Sequence, residues 1–498
     1  MKILLVNLKT EDIRDNYFPL GLAYIASALK AYDVEVYDLN IENDFIVKIV
    51  SEKFDIVAFS CYTGMFYQAS QLAQQVKFLM PSTLCIIGGY HASADYEYIL
   101  RNYTEFDVAV MGRGEKPFVE IANALLIGKP IHDINSIALR DDTGKVIINT
   151  NTDSIISNYY IPKREDEKKY FLQESKEKIS CISTMRGCYY NCSFCSIHLN
   201  DYVSISSYEE IKMDVENIVL NGSNSLYFTN PDFLSNNVCL NNTLKVLDEF
   251  PQIKTFKIAT RSDNVIKNKE LLVRLFERGC NSIELGVESF SNSQLKRYNK
   301  KVDADQNKEA YFILKEYAED FEFKTIYELI PFDPWVSRKE LMDTIEFYMK
   351  NKVDYLELEP WLFVRLILYP NTVLRNRAEC EKIVAANSHI ETPYWKFVNN
   401  DSAEIFSAFY KYRYTILPTI SDIRNRIEKW LKRKELSSFN NMLLIKIKDH
   451  LEKCTVEYLF DLIVNDVDKY DKLYSNMMLK IQEFNYKILM IEESETMR

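Results

Sequence analysis

The sequence predicts an α/β protein with two sheet-containing domains and a helical end. Three observations in the 498 residues lead to this fold class. Short apolar runs alternate with helical patterns over residues 1–128, the same alternation returns over about 180–370, and strand patterns fade after about 375. Alternating strands and helices are typical of parallel sheets covered by helices.

Composition places the chain among ordinary proteins with packed cores. Apolar residues make up 47% and charged residues 27%. The net charge of −11 argues against broad nucleic-acid binding, which needs a basic surface. No run approaches the roughly 18 apolar residues of a membrane helix, and MKILLVNLKTED lacks the features of a signal peptide. We therefore expect a cytoplasmic protein without a membrane partner.

The first domain is predicted over residues 1–138. Its five strands are KILLVNL, VEVYDL, FDIVAFSC, TLCIIGG and FDVAVMG. The helical patterns are PLGLAYIASALKAY, MFYQASQLAQQVKFLM and EKPFVEIANALL. With right-handed crossovers these elements form a doubly wound, Rossmann-like sheet, which binds ligands beyond the carboxyl ends of its strands.

Unusual residues collect at those strand ends. SCYTG follows the third strand, GGYHAS the fourth and GRGEKP the fifth. Glycine permits a positive φ and close approach to a ligand, although tight turns alone would also explain each glycine. Because these glycine-containing segments cluster at one edge of the sheet, a bound ligand and tight turns explain them about equally well.

A linker with a hairpin is predicted over residues 139–179. IALRDDTGKVIINT reads as two strands turned at DDTG, and the charged, weakly periodic segment after it is typical of a domain boundary.

The second α/β domain is predicted over 180–375. Its strands are ISCIST, SLYFTN, TFKIAT, SIELGVE, FKTIYELI and either YLELEPW or FVRLILY. Six βα units predict an open sheet or a complete or partial barrel. Residues 376–498 have helical spacing and are predicted to form a mostly α-helical domain.

The segment RGCYYNCSFCSIH brings Cys188, Cys192 and Cys195 into one loop. Zinc bound by these three and His198, a disulfide, or coincidence would each explain the pattern. A disulfide is disfavoured in a reducing compartment, and a large α/β domain needs no zinc staple. Three thiolates suit three irons of a 4Fe–4S cluster and leave the fourth open. The other seven cysteines are expected to be buried as small apolar residues.

The Cys-x3-Cys-x2-Cys spacing after the first strand of a βα repeat resembles the radical S-adenosylmethionine (SAM) superfamily. ELGVESFSNSQLKRYNK, ELIPFDP and LILYPNTVL resemble further segments of that family. The resemblance implies a partial (β/α)6 barrel in which the three cysteines hold a 4Fe–4S cluster. The SAM-contacting residues that it implies are Phe194, Asn230, Asp232, Arg261, Glu288 and Ser289.

PLGLAYIASALK, GGYHAS and GRGEKPFVEIANAL resemble the B12-binding-like domain fused ahead of many radical SAM enzymes. This resemblance implies a flavodoxin-like domain that binds cobalamin. No Asp-x-His-x-x-Gly motif is present, so histidine ligation of cobalt by that route is not expected. The implied cobalamin-lining residues are Ser60, Tyr62, Thr63, Gly88, Gly89, His91, Gly112, Gly114 and Glu115.

Together the resemblances imply a cobalamin-dependent C-methyltransferase. Reductive cleavage of SAM would give a 5′-deoxyadenosyl radical, and methylcobalamin would methylate an unactivated carbon of a natural-product intermediate or peptide. The expected electron donor is a flavodoxin or ferredoxin. A ring-forming or rearranging enzyme that uses cobalamin without methyl transfer is the alternative. A non-catalytic cofactor-binding or zinc-stapled scaffold represents another class, which the intact cysteine triad disfavours.

Overall fold

A computed structural model gives the fold of the chain. It describes residues 1–10, 17–141, 143–149, 160–171, 178–197, 202–351, 363–384, 395–432 and 437–496. The chain divides into two compact units. The first comprises Met1–Leu285, Ala310–Thr325 and Ile367–Tyr394, and the second comprises Gly286–Glu309, Ile326–Leu366 and Trp395–Arg498.

The five strands predicted near the start of the chain form a parallel sheet. They are β1 (Lys2–Asn7), β2 (Asp33–Asp38), β3 (Ile56–Ser60), β4 (Leu84–Gly88) and β5 (Val108–Val110), in the order β2-β1-β3-β4-β5. Strand β1 pairs in register with both neighbours, with Leu5 opposite Val36 on one side and Ala58 on the other. The order reverses direction at β1 and β3, which makes the sheet doubly wound, as predicted.

Helices cover both faces of this sheet. They are α1 (Leu20–Ala28), α2 (Phe45–Glu52), α3 (Phe66–Leu79), α4 (Tyr90–Asn102) and α5 (Glu115–Leu126). Leu4 and Val6 of β1 join the core under α2, α3 and α4, whereas Ile3 and Leu5 join the core under α1 and α5. The alternation of side chains along a strand therefore divides its residues between two buried layers.

The predicted hairpin forms and extends this sheet. Its strands, β6 (Ile137–Arg140) and β7 (Val146–Asn149), are antiparallel to each other, and β6 is antiparallel to β5. Asp141 shapes the turn, because its Oδ1 accepts hydrogen bonds from the backbone N–H groups of Thr143 and Lys145, each at 2.9 Å.

A second sheet carries the strands predicted for the second domain. They are β8 (Ile179–Ile182), β11 (Ser225–Phe228), β12 (Thr255–Arg261), β13 (Cys280–Glu288) and β14 (Lys324–Leu329), in the order β14-β13-β12-β11-β8. Two short strands, β9 (Met185–Arg186) and β10 (Ser204–Ile205), form an antiparallel pair.

The sixth strand predicted for this domain is only partly covered by the described residues. YLELEPW lies outside them. FVRLILY contributes one parallel bridge, between Arg365 and Phe332, and no continuous strand. The described sheet therefore has five strands, with an isolated bridge in the region where a sixth was expected.

Helices separate and follow the strands of the second sheet along the described chain. They are α6 (Tyr208–Leu220), α7 (Asn237–Glu249), α8 (Ser262–Lys267), α9 (Lys269–Glu277), α10 (Asn292–Arg297), α11 (Ala304–Asp320), α12 (Arg338–Asn351) and α13 (Val373–Cys380). Helix α6 begins with a full capping box, in which Ser207 and Glu210 satisfy each other's backbone N–H groups. The local sequence SSYEE thus specifies where this helix starts.

The end of the chain is helical, as predicted. It contains α14 (Asn400–Thr415), α15 (Leu417–Leu431), α16 (Ser438–Val464) and α17 (Tyr470–Thr496). None of the described helices combines the length and apolar character needed to cross a bilayer. Six of the seven isolated cysteines are buried as expected, but the prediction was wrong for Cys380, which is exposed at the end of α13.

Candidate functional site

The three clustered cysteines lie in a loop that follows β9. Gly187 opens the loop with a φ of +75°, and its Cα packs against the backbone of Tyr202. Cys192 is buried, whereas Cys188 and Cys195 are partly exposed. The backbone N–H of Cys195 donates to the carbonyl of Cys192 at 3.1 Å, so the loop turns tightly between the second and third cysteines.

This loop fits a cluster with one thiolate on each iron. The loop carries three cysteine thiols, those of Cys188, Cys192 and Cys195. A 4Fe–4S cluster binds separate thiolates on separate irons. Burial raises the pKa of the Cys188 thiol, so deprotonation requires a metal or a nearby cation to offset that cost. His198, the fourth ligand of the zinc alternative, lies outside the described residues.

Arg261 supplies a cation beside this loop. Its Nη1 lies 3.8 Å from the Sγ of Cys192, and its guanidinium lies 3.8 Å from the centre of the Tyr190 ring. Its Nε and Nη2 donate to the carboxylate of Asp263 at 2.9 and 3.2 Å. Phe194, predicted to pack on adenine, is half-buried between the second and third cysteines.

Asn230 is buried and holds the turn between β8 and β9. Its Oδ1 accepts from the backbone N–H groups of Thr184 and Met185 at 3.0 and 3.3 Å, and its Nδ2 donates to Thr184 Oγ1 at 2.9 Å. Its hydrogen-bonding groups thus brace the approach to the cysteine loop. The prediction that Asn230 contacts SAM stays a prediction.

Asp232 is also buried, and burial raises the pKa of its carboxyl group. Its two oxygens accept from Thr260 Oγ1 at 2.8 Å and from Asn264 Nδ2 at 2.6 Å. Asn264 also donates to the hydroxyl of Tyr190 at 2.8 Å. Asp232 therefore anchors a polar network that ends on the cysteine loop.

The other two predicted SAM residues belong to the second unit. Glu288 has a φ of +62°, which is strained for a residue other than glycine, and such strain is concentrated at functional sites. Its carboxylate accepts from Lys300 Nζ at 2.6 Å, and both side chains are buried. Ser289 Oγ accepts from the backbone N–H of Ser291 at 2.9 Å. Sequence reasoning missed Lys300, although the quoted segment ELGVESFSNSQLKRYNK ends at the residue itself.

A cavity of about 610 Å³ lies at the carboxyl ends of the first sheet, within the first unit. Seven of the nine predicted cobalamin residues line it: Ser60, Tyr62, Gly88, Gly89, Gly112, Gly114 and Glu115. Met185 and Arg186, which precede the cysteine loop, and Tyr227 of β11 also line it. The rim predicted from the glycine-containing motifs is thus one wall of a real cavity.

His91 and Thr63 are not part of that wall. His91 is 1% exposed, its Nδ1 lies 3.2 Å from Thr63 Oγ1, and its ring packs against Phe66 with 4.9 Å between centroids. Burial lowers the pKa of His91 to about 4. His91 is therefore a buried imidazole that is neutral at pH 7.

Gly89 has a role in packing as well as in lining the cavity. Its φ is +93°, and an added Cβ would lie 2.8 Å from the carbonyl oxygen of Cys61. The backbones of β3 and β4 therefore approach each other closely here. Sequence reasoning missed Tyr90, whose ring stacks on Tyr62 with 5.7 Å between centroids, and Arg113, which also lines the cavity.

Comparison with known families agrees with this arrangement. Residues 10–122 match the B12 binding domain, and residues 182–346 match the radical SAM superfamily. An uncharacterised methyltransferase of Pyrococcus horikoshii is 27% identical over 80% of this chain and 86% of its own. The hopanoid C-3 methylase of Methylococcus capsulatus is 26% identical over 59% of this chain and 57% of its own.

Another relative is the anaerobic magnesium-protoporphyrin IX monomethyl ester cyclase of Rubrivivax gelatinosus. It is 25% identical over 61% of this chain and 58% of its own. Among solved structures, the cobalamin-dependent S-adenosylmethionine radical enzyme OxsB superposes with a TM-score of 0.75 at 16% identity, over 99% of this chain and 80% of its own. At that identity the likeness shows a shared fold.

A B12-binding domain joined to a radical SAM domain defines the class of the protein. The chain is an enzyme of the radical SAM family, from the branch with an N-terminal B12-binding domain. Its cofactors are a 4Fe–4S cluster, S-adenosylmethionine and cobalamin. The assignment of individual residues to those cofactors stays a prediction.

Proposed function

We propose that the chain is a cobalamin-dependent C-methyltransferase that acts on an unactivated carbon of a natural-product intermediate or peptide. The cavity of the first unit carries this proposal. One wall comes from strand ends of the B12-binding domain, such as Ser60 and Gly88, and the other includes Met185, which precedes the cysteine loop, and Tyr227 of β11. A methyl donor and a radical generator need a shared space of this kind.

The cofactors supply the difficult chemistry, which is reductive cleavage of SAM to a 5′-deoxyadenosyl radical and methyl donation from cobalamin. The chain binds, orients and excludes water. In this proposal the three cysteines would hold the cluster, and the glycines at the strand ends of the first sheet would line the corrin. A flavodoxin or ferredoxin supplies the electron, and no nucleic acid takes part.

The lining of the cavity suits a substrate with substantial apolar surface. Aromatic side chains contribute much of the wall: Tyr17, Phe18, Tyr24, Tyr62, Tyr90 and Tyr227. Tyr17 and Tyr227 lie against each other with 5.6 Å between ring centroids. Aromatic rings exclude water from a reactive radical while their hydroxyl groups offer a few directional contacts. The names of the methyltransferase and methylase relatives support methyl transfer.

A second candidate function is ring formation or rearrangement with cobalamin but without methyl transfer. The cyclase relative of Rubrivivax gelatinosus favours it. Methyl transfer consumes a second SAM and releases S-adenosylhomocysteine with each product. Ring formation or rearrangement yields 5′-deoxyadenosine without a matching amount of S-adenosylhomocysteine. The ratio of these two nucleosides therefore separates the candidates.

The test uses anaerobic protein loaded with iron, sulfide and cobalamin, a low-potential reductant, and SAM with a trideuterated methyl group. Small-molecule and peptide extracts serve as the substrate source. Products carrying the trideuteriomethyl group, formed together with equal 5′-deoxyadenosine and S-adenosylhomocysteine, support the proposal. Unlabelled products formed with 5′-deoxyadenosine alone support the second candidate. A Cys192→Ala variant that still cleaves SAM would contradict both.

A further inference from the structure

Arg261 is held beside the cysteine loop by contacts on three sides. It ends β12 and is only 5% exposed. Its Nε and Nη2 edge donates to both carboxylate oxygens of Asp263, and its flat face lies on the Tyr190 ring. Its remaining terminal nitrogen, Nη1, faces the Sγ of Cys192 at 3.8 Å.

These contacts aim the guanidinium before any ligand binds. A carboxylate fork fixes the plane of an arginine because two parallel hydrogen bonds permit one orientation. The aromatic ring below restricts tilting, and Asn264 holds that ring through a hydrogen bond to its hydroxyl. A SAM carboxylate could reach the Nε and Nη2 edge only by displacing Asp263. The geometry therefore directs Nη1 of Arg261 toward the Sγ of Cys192.

The reduction potential of an iron–sulfur cluster depends on hydrogen bonds to its cysteine sulfurs and on nearby charges. Reduction adds one negative charge, which a donor and a cation beside a ligand sulfur stabilise. We propose that Arg261 is a positioning residue that raises the reduction potential of the 4Fe–4S cluster through Cys192. The inference rests on Cys192 as a cluster ligand and is independent of which product the enzyme makes.

The step that Arg261 assists is a one-electron transfer. A low-potential donor of the flavodoxin or ferredoxin class loses one electron, and the cluster passes from the 2+ to the 1+ state. No covalent bond forms or breaks, and no proton moves. Asp263 moderates the effect because its carboxylate offsets part of the arginine charge, although it lies on the opposite edge of the guanidinium from the sulfur.

The test is a redox titration of reconstituted, SAM-free protein, followed by the electron paramagnetic resonance signal of the reduced cluster. Arg261→Met removes donor and charge, and it should lower the equilibrium constant for reduction about tenfold, a shift of about 59 mV to more negative potential. Arg261→Lys retains the charge and should shift the potential less. Asp263→Asn removes the offsetting charge and should shift it in the opposite direction.

Arg274→Met is the matched control, because that arginine forms an exposed ion pair with Asp248 at 3.2 Å. It should leave the potential unchanged. An Arg261→Met variant with full iron content and the wild-type potential would overturn the proposal. A loss of SAM affinity with an unchanged SAM-free potential would assign Arg261 to SAM instead.

If Arg261→Met fails to assemble a cluster, Arg261→Lys and the opposite shift of Asp263→Asn decide the question. Iron analysis of Cys192→Ala tests the ligand assignment beneath the proposal. Wild-type iron in that variant would overturn the inference, whatever the product assay shows. The product assay in turn tests the proposed function without reference to the potential.

Discussion

Glu115, in the first turn of α5, forms an ion pair with Arg186, two residues before Cys188. The carboxylate is buried, and the guanidinium also lies over the Tyr24 ring at 5.1 Å. Two residues earlier, in the loop after β5, Arg113 donates to the carbonyl of Tyr202 at 2.8 Å, beyond the cysteines. The segment from this loop into α5 therefore contacts the chain on both sides of the cysteine loop and helps to fix its position.

Glu115→Ala should lower the free energy of unfolding by about 1–3 kcal/mol, because it removes the buried carboxylate that pairs with the guanidinium of Arg186. Urea denaturation measures this change. The matched control is Glu120→Ala, which removes an exposed partner of Lys116 at 3.9 Å and should cost under about 1 kcal/mol. Combining Glu115→Ala with Arg186→Met should cost less than the sum of the two single changes. Strict additivity would show that the pair does not couple.

Arg164 anchors the segment between the two α/β domains. Its Nε and Nη2 donate to both oxygens of Asp214, at 2.6 and 3.0 Å, and its Nη1 donates to Glu167 at 2.8 Å. All three side chains are almost fully buried. Arg164→Met leaves two buried carboxylates facing each other and should destabilise the fold by about 3–5 kcal/mol.

Thermal unfolding of Arg164→Met against Lys163→Ala checks this expectation. Lys163 is the adjacent residue, and its side chain forms an exposed pair with Glu165 at 3.4 Å. Its loss should cost under about 1 kcal/mol. Equal melting temperatures for the two variants would mean that the buried network adds nothing to stability.

The sequence predicted the first sheet well because its strands are continuous runs of buried apolar residues. The sequence pattern does not predict helix α4, for a physical reason. Its first turns bury His91, Ala92, Ser93 and Ala94, which are small or polar, and its large buried apolar residues, Ile99 and Leu100, lie near its end. The apolar pattern is therefore too short to predict a helix over the whole segment.

The cysteine triad could be predicted because its three residues are close along the chain. The sequence predicts that Arg261 is a functional residue, but it does not predict which residues Arg261 contacts. Cys192 lies 69 positions away, and the edge of the guanidinium that faces it depends on Asp263 and Tyr190. Likewise, nothing in GGYHAS indicates that His91 turns inward while its neighbours line the cavity.

Gly187→Ala should prevent normal assembly of the cysteine loop. Gly187 has a φ of +75°, and an added Cβ would collide with the carbonyl group of Tyr202. Gly222→Ala is the matched control, because that glycine has a φ of +86° but open space around its Cα. The control carries the backbone strain of about 1 kcal/mol without the collision. Iron and sulfide per chain after anaerobic reconstitution should fall sharply in Gly187→Ala and stay normal in Gly222→Ala. Equal iron content in the two variants would show that the loop tolerates a Cβ at position 187.

His91 should make stability depend on pH. Burial lowers its pKa from 6.5 to about 4 in the folded state. Its contribution is therefore fully present above pH 6.5 and is lost as the pH falls toward 4, because the unfolded state binds the proton first. At 1.36 kcal/mol per unit, the loss between pH 7 and pH 5 is about 2 kcal/mol.

The measurement compares urea denaturation of the wild type and His91→Gln at pH 7 and pH 5. Titrating groups common to both proteins cancel, so the stability difference between them should narrow by about 2 kcal/mol at the lower pH. Thr63→Val provides the control, since it removes the hydroxyl beside Nδ1 and keeps the imidazole. It should lower stability at both pH values while preserving most of the pH dependence. A wild-type-like pH dependence in His91→Gln would mean that the buried imidazole accepts its proton without unfolding the protein around it.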